Sequence, residues 1–284
     1  MDRLSRMAQM LRRDNDAAHK PEHVEGKEIF IPISGGSMRA LYYGPASAVP
    51  APLFVDIHGG AFIFASPEED DFFCASLCRA LNIAVISLDY PLAPEARFPR
   101  ALEDIYAAVQ ALRAEHAAYG FDPENVSVGG HSAGGNLATA LCMLAKRRGD
   151  LPLRCQVLDY PAVDMGGTIP IEEKHHDPAE VPQNVLNFAA ECYADRETHE
   201  TDPLCTPVLA TQAQLAGLPP AILLTCERDS LRTEGERYAQ ALVGAGVEIV
   251  YKRFPQACHG FTIFPDALRD AGLRFLFEAI KRYV

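Results

Sequence analysis

The sequence predicts an α/β chain: a mostly parallel sheet covered on both faces by helices. Three observations carry this. Strand-length apolar runs alternate with segments of helical period along most of the chain. Leu53–Ile57 and Asn125–Val128 read as strands buried on both sides, as parallel strands are. The second of these runs meets a helix through the tight turn Gly129-Gly130-His131-Ser132-Ala133-Gly134-Gly135.

Taken in order, residues 1–25 mix charge with a thin apolar stripe (Leu4, Met7, Leu11) at helical spacing, which predicts a short amphipathic helix lying on something. Lys27–Ile33 and Met38–Gly44 are two strands joined through Ser34-Gly35-Gly36-Ser37, a hairpin signal. Leu53–Ile57 ends in His58-Gly59-Gly60-Ala61-Phe62. Residues 71–81 read as a helix and Ile83–Leu88 as the next strand. Asp89–Glu95 is a loop stiffened by two prolines, and Phe98 to Tyr119 reads as one long helix. After the helix that follows Ser132 comes strand Cys155–Tyr160. Residues 162–207 then break the pattern: they are polar and proline-spaced, with Val185–Tyr193 the one stretch of helical period. So long an irregular insertion is usually a lid or cap. Alternation resumes with strand Ala221–Cys226, helix Thr233–Ala245, strand Val247–Phe254 and a closing helix from Pro265 to Tyr283.

The totals narrow the function. A formal charge of −12 disfavours nucleic acid and anionic membrane surfaces as partners, because no basic stripe offsets it. The charged N-terminus and the lack of an 18-residue apolar run make a cytoplasmic protein the default expectation. Eight cysteines scattered through apolar segments read as buried free thiols. Cys74 and Cys78 lie one helical turn apart, but no second pair completes a zinc spacing, so neither metal nor cofactor is expected.

In parallel sheets reactive residues gather at the carboxyl ends of the strands. This places the loops after residues 57, 88, 131, 160, 226 and 254 on one rim, with His58–Phe62, Ser132, Asp229 and His259 on it. Gly-x-Ser-x-Gly by itself recurs by chance in roughly one chain in ten of this length. Between a buried strand and a helix it gains meaning. There the turn strains the serine backbone and stands its hydroxyl clear of the sheet, and side chains at Gly130 or Gly134 would collide with neighbouring backbone.

A serine hydroxyl needs a base, and the base needs an acid to fix its tautomer. His19, His23, His116, His175, His176 and His199 lie in polar segments remote from the rim, which predicts solvated surface roles. His131 adjoins the serine and is expected to point elsewhere, and His58 ends a strand. His259, directly after the last strand, remains as base. The acid should come from the strand before it, where Glu227 and Asp229 compete and Asp229 is preferred. Its alternative role is to cap the helix that follows.

With these segments in place the chain resembles the hormone-sensitive-lipase-like family of α/β-hydrolases, the carboxylesterases with a His-Gly-Gly loop. The match runs from about residue 50 to the end, through His58–Phe62, Asp89–Glu95, the turn around Ser132, Asp229-Ser230-Leu231 and His259-Gly260-Phe261. It implies an α/β-hydrolase fold, a mostly parallel eight-stranded sheet with helices on both faces and a small helical cap. It also implies Ser132 as nucleophile, Asp229 as acid, His259 as base, and an oxyanion hole from the backbone N–H groups of the Gly59-Gly60-Ala61 loop and Ala133. Phe62 and Phe261 are the expected substrate-binding side chains. Two residues depart from the family pattern: Ala61 replaces the usual third glycine, and His131 stands where Asp is usual.

On this reading residues 26–161 and 208–284 form the catalytic domain, and residues 1–25 and 162–207 the cap. The expected activity is hydrolysis of short-chain acyl esters of small molecules through a Ser-His-Asp triad and an acyl-enzyme. The alternatives are an amidase, formamidase or sugar-ester deacetylase using the same triad and, further off, a non-catalytic ligand-binding protein of hydrolase fold. The resemblance also admits a homodimer.

Overall fold

Eight apolar runs form one sheet: β1 (Lys27–Ile33), β2 (Gly36–Tyr43), β3 (Ala51–Ile57), β4 (Ala84–Leu88), β5 (Phe121–His131), β6 (Gln156–Asp159), β7 (Ala221–Arg228) and β8 (Ile249–Cys258). The structure, a computed structural model, describes residues 2–46, 50–174, 177 and 181–284. The strands lie in the order β1-β2-β4-β3-β5-β6-β7-β8. β1 pairs antiparallel with β2 across a turn at Ser34-Gly35, where Gly35 takes a φ of 87°. β2 pairs antiparallel with β4, and every later pair is parallel.

Alternation along the strands explains why helices cover both faces. Leu53, Val55 and Ile57 of β3 face one apolar cluster and Phe54 the other; in β4, Ala84, Ile86 and Leu88 oppose Val85 in the same way. Helices α3 (Arg100–Ala114), α5 (Ala133–Arg148) and α9 (Arg232–Gly244) pack into the first cluster. Helices α2 (Asp71–Leu81) and α10 (Arg269–Ile280) pack into the second. The predicted fold class, an eight-stranded and mostly parallel sheet with helices on both faces, therefore stands.

Several boundaries differ from the sequence reading. The long helix expected from Phe98 to Tyr119 begins only after Pro99, since a residue preceding proline is held out of helix geometry. It also breaks at Glu115, leaving α4 (His116–Tyr119) as a separate turn closed by Gly120 at a φ of 71°. The closing helix starts at Arg269, four residues later than its proline suggested.

Residues 1–25 contribute α1 (Arg3–His19), whose Leu4 and Leu11 pack on the first cluster and whose Ala8 is fully buried. Polar bonds fix it across the loop after β3: Arg12 donates to the carbonyls of Ile63 (2.7 Å) and Ala93 (2.6 Å) and to Glu95 (2.6 Å). In the 162–207 insertion α6 (Gln183–Tyr193) was expected, and α7 (Arg196–Thr201) was not. The helix α7 is short and polar, so it carries no apolar stripe; the Asp195 side chain caps it by accepting from Thr198 N. α8 (Gln212–Leu215) follows the insertion.

No helix among the described residues is long and apolar enough to cross a membrane. None of the eight cysteines is in a disulfide; seven are buried and Cys258 is half-buried.

Candidate active site

Ser132 sits between β5 and α5 with φ 53° and ψ −114°, a backbone conformation that non-glycine residues rarely hold. It persists because its neighbours are locked. Ser132 N donates to Asp159 O (3.0 Å), and Ser132 O accepts from Ala162 N (3.0 Å). The flanking glycines are required by close approach. A Cβ on Gly130 would lie 2.3 Å from Ile57 O, and one on Gly134 only 1.8 Å from the same oxygen and 2.6 Å from His58 O.

His259, immediately after β8, places Nδ1 2.8 Å from Asp229 Oδ2. Asp229 is fully buried at the end of β7, and its other oxygen accepts from Leu231 N (3.0 Å). Glu227, the competing carboxylate, turns away to accept from the backbone N (2.8 Å) and side chain (3.1 Å) of Gln256. Geometry thus pairs Asp229 with the histidine. Burial disfavours a charge on the imidazole, but the Asp229 carboxylate outweighs it, so His259 titrates above its ordinary value. With Nδ1 engaged, Nε2 is the nitrogen left for proton transfer.

The loop after β3 runs against the nucleophile: a Cβ on Gly59 would fall 3.7 Å from Ser132 Cβ. Gly60, Ala61 and Phe62 all take positive φ, at 95°, 52° and 66°. For Gly60 that is free, whereas Ala61 and Phe62 are strained there. Gly60 O accepts from Ile63 N and Phe64 N (3.0 Å each), which curls the loop into a tight turn. Among the described residues, the N–H groups of Gly60, Ala61 and Ala133 donate to no protein acceptor. His58 braces the turn from beneath. It is fully buried, its Nδ1 lies 2.8 Å from Gly59 O, and it stacks on Tyr90 at 4.2 Å. Burial lowers its pKa and keeps it neutral.

A cavity of about 280 Å³ opens over these groups, lined by Ser132, His259, Gly59, Gly60 and Ala61. Phe62 lies on its wall, backed by Tyr193 of α6 in a 3.8 Å stack. Phe261 does not lie there, which corrects the sequence reading. It is buried in the second cluster against Phe254 (5.2 Å) and Tyr160, because the turn after His259 directs it under the sheet.

Two histidines also correct the expectation of solvated roles. His199 is buried, with Nε2 2.8 Å from Ala190 O and Nδ1 3.4 Å from Cys205 Sγ, and so ties α7 to α6. His19 is exposed but not remote: it lines the cavity and packs on Phe264 at 4.6 Å. His175 and His176 lie outside the described residues.

Comparison with known proteins agrees with this geometry. A family model described as the alpha/beta hydrolase fold matches residues 54–263. A carboxylic ester hydrolase, LipN of Mycobacterium tuberculosis, is 35% identical over 247 residues, covering 84% of this chain and 65% of LipN. An ethyl acetate hydrolase of Pseudomonas putida is 31% identical, covering 84% of this chain and 75% of its own length. The crystal structure of EstE1, a thermophilic carboxylesterase cloned from a metagenomic library, superposes with a TM-score of 0.88 at 36% identity, covering 97% of each chain. The chain belongs to the hormone-sensitive-lipase-like carboxylesterases of the α/β-hydrolase superfamily.

His131, the residue before the nucleophile, has surroundings that the sequence did not reveal. It is buried under the elbow, with Nδ1 3.1 Å from Asp159 and Nε2 3.5 Å from both Asp56 and Asp70. Burial opposes its charge, but the carboxylates of Asp70, Asp159 and Asp56 raise its pKa well above the ordinary value. Burial pushes Asp70 up and so toward its neutral form, whereas the bond to His131 keeps Asp56 low despite burial. The ligand atoms of Asp56, Asp70 and His131 lie within 4.8 Å of one another, close enough to suggest a metal site. With Asp159 they close three carboxylates around one imidazole, a buried ion-pair knot beneath the nucleophile turn.

Other buried polar groups hold the carboxylesterase site together, and the sequence assigned them no role. Asp159 Oδ2 also accepts from Thr262 Oγ1 (2.6 Å), whose oxygen lies 2.6 Å from Tyr160 OH. The Tyr160 ring in turn packs edge-on to His259 at 4.8 Å. Asn136 donates to the carbonyls of Ala162 (2.8 Å) and Cys205 (3.1 Å), pinning the insertion to α5. Glu234 accepts from Val163 N (2.8 Å) and Asp164 N (3.1 Å) at the start of the same segment. Contacts of this kind depend on chain segments up to about a hundred residues apart meeting in space, for which no local pattern exists.

Proposed function

We propose that this carboxylesterase hydrolyses short-chain acyl esters through Ser132, His259 and Asp229. The observation that carries the reading is the 2.8 Å His259–Asp229 bond on the same cavity that exposes the strained Ser132. Ser132 Oγ attacks the ester carbonyl carbon while His259 Nε2 takes its proton. The carbonyl oxygen becomes an oxyanion, which the N–H groups of Gly60, Ala61 and Ala133 are free to receive; Gly59 shapes the approach to them. His259 returns the proton to the departing alcohol, leaving an acyl-Ser132. Water, deprotonated by the same imidazole, then releases the acid. Asp229 holds the ring and stabilises its charged form throughout.

The cap assignment supports the short-chain reading. Asn15 and His19 of α1 and Val185, Leu186 and Ala189 of α6 complete the cavity wall, so residues 1–25 and 162–207 would set acyl length. At about 280 Å³ the space lies at the lower end of the range for small-molecule sites, which fits a small ester. Initial rates on p-nitrophenyl acetate, butyrate and octanoate test this beside an acetanilide and an acetylated sugar. The short esters should turn over fastest, with octanoate at least tenfold lower in kcat/KM. Faster cleavage of the anilide or the sugar ester would overturn the reading in favour of an amidase or deacetylase.

A pH profile tests the base. The imidazole works only when neutral, and its pKa is raised, so kcat/KM should fall on the acid side with a midpoint above 6.5. Asp229→Asn removes the charge that raises it and leaves the burial that lowers it. That variant should therefore lose about 10⁴-fold in kcat and carry its residual acid limb to lower pH. An acid limb below 6.5 in the unaltered protein, or one that Asp229→Asn leaves in place, would contradict the assignment.

A further inference from the structure

One corner of the cavity takes no part in the hydrolytic chemistry. Glu69, in the loop leading to α2, and Asn15 of α1 both line it, and Asn15 Nδ2 donates to Glu69 Oε1 at 2.6 Å. The second oxygen, Oε2, has no hydrogen-bond partner among the described residues. Among the described residues, no Lys or Arg side chain lines the cavity. Lys20, at the C-terminal end of α1, lies 3.8 Å from the neighbouring Glu68, which Arg39 also holds at 2.5 Å. Asp70, also on the wall, is occupied by the His131 knot. The same cavity is lined by Phe64, Ile263 and Phe264, with His19 against Phe264.

A carboxylate facing an apolar space is costly; Lys20 offsets part of that cost for Glu69 but is itself drawn to Glu68, and a cation that fits the space would relieve the rest. Aromatic faces beside it add to the attraction for an ammonium group. The chain's net charge of −12 would also draw cations toward it.

We infer that Glu69, held by Asn15, is a cation-recognition subsite, and that the preferred substrates are small esters bearing an alkylammonium group. This rests on the hydrolytic reading above and names its substrate class. Burial pushes the Glu69 carboxyl up to about 7, and Asp16 and Glu68 push the same way against Asn15 and Lys20. The preference should therefore be strongest on the alkaline side of neutrality and fade on the acid side.

The test compares two esters of equal shape, choline acetate and 3,3-dimethylbutyl acetate, which differ in one positive charge. Their ratio of kcat/KM cancels the titration of His259, which serves both. The ratio should favour choline acetate by about tenfold at alkaline pH, fall toward one in acid, and fall toward one at all pH in Glu69→Gln. Calorimetry on Ser132→Ala protein with choline and 3,3-dimethylbutanol reads the subsite without turnover, and choline should again bind about tenfold tighter. Equal kcat/KM values in the unaltered protein, equal binding of the two alcohols, or a preference that survives Glu69→Gln would overturn the subsite and leave the esterase standing. Failure to cleave p-nitrophenyl acetate would overturn the esterase reading, and the calorimetry would still decide the subsite.

Discussion

Ser132→Ala should lower kcat on p-nitrophenyl acetate by roughly 10⁴- to 10⁶-fold, leaving the rate that binding and the oxyanion donors alone supply. Stability should barely move. The Ser132 side chain makes no protein hydrogen bond among the described residues, and alanine inherits the same strained backbone, φ 53° and ψ −114°. A surface-like change of within about 0.5 kcal/mol is expected. Steady-state kinetics and a thermal melt on the same preparation check both halves. Retention of more than a few per cent of activity would mean another nucleophile does the work. A collapsed melt would mean the loss of rate says nothing about chemistry.

Gly134→Ala should do the opposite, damaging the fold and the rate together. Its new methyl would stand 1.8 Å from Ile57 O and 2.6 Å from His58 O. Both are backbone atoms at the end of a central strand, so neither can swing aside as a flexible side chain would. Either α5 withdraws from β3 or the loop after β3 is displaced, and both carry proposed oxyanion donors. A cost of about 4 kcal/mol or more is expected, enough to lower the melting temperature by roughly 10 °C in a domain of this size. Gly244→Ala is the control. It ends α9, has open space around its Cβ position and has no positive φ, so it should melt within about 2 °C of the parent protein. If the two variants melt alike, packing at the elbow is not what holds those glycines in place.

These two outcomes also show which parts of the molecule could be read in advance. The elbow was legible because a serine between glycines, after one buried strand and before one helix, has few other uses. The central strands were legible because burial on both faces leaves an apolar run that glycine and proline punctuate. Which carboxylate meets His259 was less so. Glu227 and Asp229 lie two residues apart, and the outcome depends on Gln256, whose backbone N–H draws Glu227 away. The same limit applies to Phe261, which sits beside the site in sequence and beneath it in space. His199 looked solvated because its neighbours are polar, yet it is buried once α7 folds back on α6. The His131 knot brings together the end of β5, the end of β6, β3 and the residue before α2. Asp56 and Asp159 lie within strands the sequence predicts and Asp70 just before a predicted helix, and no local pattern links any of them to His131.

The most direct measurement of the central claim is labelling with a fluorophosphonate, read by mass spectrometry of the digested protein. The account predicts one adduct per chain, on the peptide carrying Ser132, formed at least a hundredfold more slowly after His259→Ala and absent after Ser132→Ala. Ester hydrolysis that proceeds with Ser132 unlabelled, or an adduct found on a different residue, would contradict it.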